Sequence, residues 1–284
     1  MRKPILFLLS SLFFFGYFTS SAQLRWSDIQ GLKNGSLNIL YSENKPFIYT
    51  EDKKLKGIEV EILDSFVQWL KDKKGIQLKL NYKDYNSPKD VYDRITIAVD
   101  NTLAAGGISY SPQFSSNSRV NFASPYMKNP LVLVTIGIIP TAYSQEDFET
   151  LLGGQYAATI SNSIQEQHLK IFRERHQLSF GKILFLKSDQ EIIDAAAESE
   201  RYYGYVDFIN YWKYTQDNDK FVKTQNLASI ESNYYSFSFP IGSDWHFAIN
   251  EFLESGLGFT STMEYKEILK KYLPQEVYKK VNID

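Results

Sequence analysis

Beyond its N-terminal segment the chain switches repeatedly between two hydrophobic periods. Ser36-Leu-Asn-Ile-Leu-Tyr41 alternates apolar and polar positions, the period of a half-buried strand. From Glu59 the period lengthens: Ile62, Leu63, Phe66, Val67 and Leu70 fall on one face of a helix that Gly75 ends. Asp52 to Lys56 is a charged, hairpin-like connection. Ile76 to Tyr82 alternates again as a strand, Pro88 to Ala98 predicts a second helix, and Thr102 to Ala105 a short strand. Pro130 to Ile139 is nearly all Val, Leu and Ile, as in a fully buried strand. A short helix is predicted over Tyr143 to Leu152, with Ser144 as N-cap and Asp147 three residues on, an approximate capping box. Strands follow at Gln155–Ile160, Ile183–Leu186 and Tyr203–Val206. Helices run from Ser161-Asn-Ser163 to about His176, over Gln190–Ser199 behind Ser188-Asp189, and from Phe208 to Tyr214. Ser232 to Pro240 predicts one strand rich in Tyr and Phe. Two helices, Trp245–Ser255 and Thr260–Tyr272, close the chain.

This alternation of strands and helices predicts an α/β fold with largely parallel sheets. The set before Pro130 and the set after it form two units of similar size. The closing helices have no sheet of their own and are expected to pack on the first unit. The expected division is a leader at 1–22, a first lobe of 23–129 with 236–284, and a second lobe of 130–235. The chain would cross between lobes near 128–132 and near 234–239.

Arg2 and Lys3, the apolar stretch from Ile5 to Phe18 and the small residues Ser20-Ser-Ala22 make a secretory signal peptide cleaved after Ala22. The other reading, an uncleaved anchor, meets a run that is short for a membrane span. No cysteine is present, so an exported chain of 284 residues must rest on its hydrophobic core. Gln23 stands where a lipoprotein carries its lipidated Cys, which points to a protein free in the periplasm. The formal net charge of −2 holds no basic surplus and gives no reason to expect nucleic acid. His168, His176 and His246 make no metal-spaced pair, no nucleophile–base pair stands out, and no cofactor is expected.

The stretch from Ala104 to Tyr126 carries the candidate chemistry. After Gly106 and Gly107, Ser109 and Ser111 alternate with Ile108 and Tyr110, so an extended backbone puts both hydroxyls on one face. Arg119 is a lone cation among small polar residues. Such a loop suits a small polar or anionic ligand; the alternative is a Ser-rich loop that satisfies its own backbone.

Several pieces, in order, resemble the family 3 extracellular solute-binding proteins, the polar-amino-acid receptors of ABC importers. They are Asn38-Ile-Leu-Tyr41 with Pro46-Phe47 and Tyr49; Leu55-Lys-Gly57-Ile-Glu-Val-Glu-Ile62; Leu103 to Pro112 with Asn121-Phe-Ala-Ser-Pro-Tyr126; Gly204-Tyr-Val-Asp207; and Tyr265 to Tyr272. The resemblance covers nearly the whole exported chain. It implies a two-lobed periplasmic-binding-protein fold with two crossover strands and a ligand cleft between the lobes, closing by hinge motion. It implies a monomer that captures an amino acid or related carboxylate for an inner-membrane ABC permease. An enzyme on the same scaffold, dehydratase-like or related to the cell wall, and a sensory subunit are the alternatives.

By the same resemblance, Gly107, Ser109 and Ser111 would hold a ligand carboxylate. The family's Arg, two residues after the Thr-Pro pair, is Phe114 here, and the segment to Phe122 is longer. Arg119 is the candidate substitute, or else a solvated surface residue. Asn162 and Ser163 would present a helix N-terminus to the ligand, or act only as caps. Asp207 would hold an ammonium group, or cap the helix after it. Tyr41 and Tyr110 are the candidate aromatic contacts; Phe47 suits the core equally. Tyr202, Tyr203, Tyr205, Phe208, Tyr211 and Trp212 offer further rings in the second lobe.

Overall fold

A computed structural model describes residues 24–114, 119–178, 181–217 and 221–283. The expected signal peptide lies outside these residues. In chain order the elements are α1 (Trp26–Leu32), β1 (Asn34–Tyr41), β2 (Tyr49–Glu51), β3 (Lys54–Lys56), α2 (Ile58–Lys74), β4 (Gln77–Asp84), α3 (Pro88–Ile95), β5 (Thr102–Ala104), β6 (Ser109–Tyr110), β7 (Val120–Phe122), β8 (Met127–Lys128) and β9 (Leu131–Ile136). Then come α4 (Asp147–Leu152), β10 (Tyr156–Ile160), α5 (Ile164–Arg175), β11 (Ile183–Leu186), α6 (Asp189–Glu198), β12 (Tyr202–Asp207), α7 (Phe208–Asp217), β13 (Val222–Thr224), β14 (Tyr234–Tyr235), β15 (Ser238–Pro240), α8 (Trp245–Glu254), α9 (Met263–Tyr272) and α10 (Gln275–Val281).

Two five-stranded sheets organise the molecule, in the orders β4-β1-β5-β15-β7 and β11-β10-β12-β9-β13. In the first, β1 runs parallel to β4 and β5, whereas β15 is antiparallel to β5 and β7. In the second, β10 is parallel to β11 and β12, whereas β9 is antiparallel to β12 and β13. The sheets are therefore mixed rather than largely parallel. The reason is topological: β9 and β15 each enter directly from the crossing and not through a helical crossover, which is what makes neighbours parallel. The crossings lie side by side, with β14 antiparallel to β8 (Tyr234 opposite Lys128) and to β6 (Tyr235 opposite Ser109).

The closing helices do pack on the first sheet. One core joins Ile62, Phe66 and Leu70 of α2 with Trp245 and Phe252 of α8, Leu269 of α9 and Val277 of α10. In the second sheet β9 is buried on both faces: Leu131 and Leu133 pack with Phe148, Leu169 and Tyr205, while Val132 and Val134 pack with Ile192, Val206 and Tyr214.

Three expectations change. The helix predicted from Tyr143 begins at Asp147, whose carboxylate folds back to accept the N–H groups of Tyr143 and Ser144; Ser144 is not the cap. The single strand predicted over 232–240 is two short ones, because the chain changes sheets between Tyr235 and Ser238. Finally, α1, β13 and α10 had no periodic signal. Of these, α1 is held by its surroundings: Asp244 accepts the N–H groups of Trp26 and Ser27, and Trp26 packs on Trp245 at 5.5 Å between ring centroids.

Gly57 fixes where α2 begins. Its φ is 129°, and a Cβ there would lie 2.1 Å from the Phe47 carbonyl oxygen. Immediately after it, Ile58 and Glu59 donate their N–H groups to Pro46 and Phe47, both at 3.0 Å. Gly57→Ala is expected to destabilise the fold by about 2 kcal/mol or more, because it adds backbone strain to a collision with main chain. Gly31→Ala in α1, where a Cβ meets nothing within 4 Å, is the matched control and should not lower the melting temperature. Thermal denaturation of the two variants tests this.

Candidate functional site

The candidate loop is held from below by a side chain the sequence did not single out. Glu59, in the first turn of α2, is fully buried. Its carboxylate accepts the Gly106 N–H at 2.6 Å, the Gly107 N–H at 3.1 Å and the Tyr126 hydroxyl at 2.6 Å. Burial pushes its carboxyl above the ordinary value while these three donors pull it back. Gly107 is required for the close approach: its φ is 75°, and a Cβ would fall 2.6 Å from the Phe47 ring. The Gly107 N–H expected to face a ligand is thus already committed to Glu59.

Asp207 ends β12 and is buried among residues from both halves of the chain. Gln165 of α5 donates its amide to Asp207 Oδ1 at 2.9 Å. The Tyr235 hydroxyl and, at 3.4 Å, the Ser109 hydroxyl approach Oδ2. Ser109 also accepts the Asn129 amide at 2.7 Å. The Asp207 N–H is taken by Asp189, which accepts the Asn210 amide as well. Next to this group, Asn233 is tied to Asn129 through the main chain and to His168 Nε2 at 3.0 Å. Ser111 is buried, and its hydroxyl has no partner among the described residues.

The remaining candidates are engaged in capping or packing, or are exposed. The Ser163 hydroxyl accepts the Glu166 N–H and donates to the Ile160 carbonyl, so it caps α5. Asn162 is exposed, and its N–H goes to Glu166 Oε2 at 2.6 Å. Arg119 is exposed. Tyr41 is buried in the first core against Tyr82, and Tyr110 packs on Phe122 at 4.9 Å. Phe47 is also core, packed on Tyr235.

Contacts between the two halves continue beyond Asp207. Phe114 meets His168 edge-on at 5.0 Å. Ile209 of α7 belongs to the first core, with Phe208 and Trp212 packed against it. Lys213 donates to the Lys45 carbonyl at 2.9 Å, and Trp212 Nε1 donates to Glu276. A surface hollow of about 400 Å³ between α2 and α9, lined by Glu61, Asp64, Glu264 and Lys271 among others, holds none of the candidate residues.

Gln165, His168, Asn129, Asn233 and Tyr235 were not predicted as site residues. The one available signal was the i, i+3 spacing of Gln165 and His168, which puts them on one face of α5.

Burial raises the carboxyl of Asp207 well above the ordinary range, and the neighbouring Asp189 raises it further, against the donors of Asn129, Tyr235 and Ser109. A group raised in this way holds a proton in the folded state that the unfolded chain releases. Folded stability therefore falls as pH rises through the window between the ordinary and the raised value, about pH 4 to about pH 8. Asp207→Asn keeps the shape and removes the titration. It is expected to flatten this fall in melting temperature and to leave the protein more stable than the parent at the alkaline end. An unchanged slope would contradict the assignment.

No protein-family model matches the chain, and no curated protein matches it. Solved structures do. An ancestral arginine-binding protein bound to arginine superposes with a TM-score of 0.61 at 18% identity, covering 84% of this chain and 98% of that one. A structure described for glutathione import via GshT and the cystine ABC importer TcyBC of Streptococcus mutans gives 0.63 at 17%, covering 86% and 99%. An ancestral amino acid-binding protein, a precursor of cyclohexadienyl dehydratase, gives 0.57 at 16%, covering 84% and 95%. At these identities the likeness is one of fold: the chain has the two-lobed α/β fold of the periplasmic amino-acid-binding proteins.

Proposed function

We propose that the protein is an exported solute-binding protein that captures a small polar solute between its lobes and delivers it to an ABC importer. The lobes are 23–129 with 236–284, and 130–235. The observation that carries this reading is the polar cluster spanning them: Asp207, Gln165 and Tyr235 from 130–235, with Ser109 and its partner Asn129 from 23–129. Such groups, mobile relative to one another by hinge motion, have differential affinity for a solute in the closed form, which is what ligand-driven closure needs. The neighbours' printed descriptions as binding proteins and importer components support the same reading.

In this reading Asp207 and Ser111 contact the solute, and Arg119, on the surface, does not. Asp207→Ala and Ser111→Ala are expected to weaken binding by about tenfold or more, whereas Arg119→Ala leaves it unchanged. Ser111→Ala has a second signature. It removes a buried hydroxyl without a partner, so the ligand-free protein should melt at the same temperature or higher while affinity drops. Thermal-shift screening against a broad set of polar metabolites, followed by calorimetry on the variants, measures both effects. A second reading, an enzyme on this scaffold, draws on a buried carboxyl with a raised pKa in the cleft and on the dehydratase precursor among the neighbours. Turnover of a bound compound, with no solute retained, would favour that reading.

A further inference from the structure

The cluster around Asp207 is unbalanced in charge and in hydrogen-bonding character. Two carboxyl groups, Asp207 and Asp189, are buried there, and the acceptors Asp189 Oδ1 and Asn129 Oδ1 have no partner among the described residues. Against them stands the unpartnered amide nitrogen of Asn233. No Lys or Arg is among the described residues bonded to Asp207 or Asp189.

Apart from the Ser111 hydroxyl and the Asn233 amide, both neutral, the groups the sequence offered to a ligand carboxylate are engaged elsewhere or exposed. Glu59 occupies the N–H groups of Gly106 and Gly107. At the start of α5, Glu166 occupies the Asn162 N–H and is itself neutralised by Lys170, 2.6 Å from its other oxygen. Arg119 is exposed. His168 shares its Nε2 with Asn233, lies against the Phe114 ring, and burial disfavours its charged form. A carboxylate entering the cleft would lose its hydration, lie beside the buried Asp189 and find no cation among the described residues to pair with, an unfavourable arrangement, whereas a cation would let Asp207 give up its proton and pair with it. An ammonium or guanidinium group would instead supply the missing donors and the missing charge.

We infer that the solute is a small organic cation without a carboxylate, an alkylamine or guanidinoalkylamine rather than an amino acid. The inference rests on the reading of this cleft as the binding site and narrows its ligand. The test uses pairs that differ only by the carboxylate. The exported chain is unfolded and refolded to strip bound solute, then titrated by calorimetry near neutral pH with agmatine against arginine and with cadaverine against lysine. At least one decarboxylated partner is expected to bind about tenfold or more tightly than its amino acid, equivalent to about 1.4 kcal/mol. Equal or tighter binding of the amino acid overturns the inference and leaves the binding function standing. Binding by none of the four overturns the inference, and a broad thermal-shift screen that is also empty overturns the binding function with it. Glu166→Gln separates the cause: with the carboxylate gone from the Asn162 N–H, arginine should gain on agmatine by about threefold or more. An unchanged ratio would show that Glu166 does not exclude carboxylates.

Discussion

The buried carboxylate of Glu59 is the interaction on which the candidate site depends. An ionised carboxylate in an apolar core is costly unless donors surround it. Here the Gly106 and Gly107 N–H groups and the Tyr126 hydroxyl do so. They come from two places, the glycine loop and the segment before β8, and the Tyr126 carbonyl in turn accepts the Tyr265 hydroxyl from α9. One side chain therefore ties the start of α2, the glycine loop, the approach to the first crossing and a closing helix. Gly57 makes the geometry possible by letting α2 begin directly against Phe47. The same interaction engages the Gly106 and Gly107 N–H groups within the protein.

Much of the fold was legible in the sequence because burial leaves a period. The run over Pro130 to Ile139 predicted a fully buried strand; the strand ends at Ile136, and its alternate residues from Leu131 to Val134 enter two separate cores. The helices α2, α5, α6, α8 and α9 announced themselves by apolar spacing and by caps such as Ser163 and Ser188. The failures have a physical reason as well. The short elements α1, β13 and α10 exist through tertiary contacts, for which local pattern carries no mark. Over 232–240 the apolar pattern reported burial correctly but could not say that the chain passes from one sheet to another.

The site was less legible than the fold. Asp207 and Ser109 come together, far apart in the sequence, at 3.4 Å. Asn162 and Ser163, by contrast, are engaged in capping α5, and Tyr41 and Tyr110 in packing. Periodicity shows which residues are buried, not which distant polar partner each will meet. Asn129, Gln165 and Asn233 belong to three separate segments, and only the pairing of β8 with β14 brings two of them together. Among the described residues the two halves meet through the polar cluster at Asp207, through Phe114 on His168 and through α7.

The most direct test of the account is whether the protein carries a solute. Native mass spectrometry of the protein, purified without denaturation, should show a species heavier than the bare polypeptide by the mass of one small molecule. That increment should disappear on unfolding and return when the released material is added back to refolded protein. A bare polypeptide mass throughout, with no change in melting temperature when cell extract is added to the refolded chain, would contradict the account.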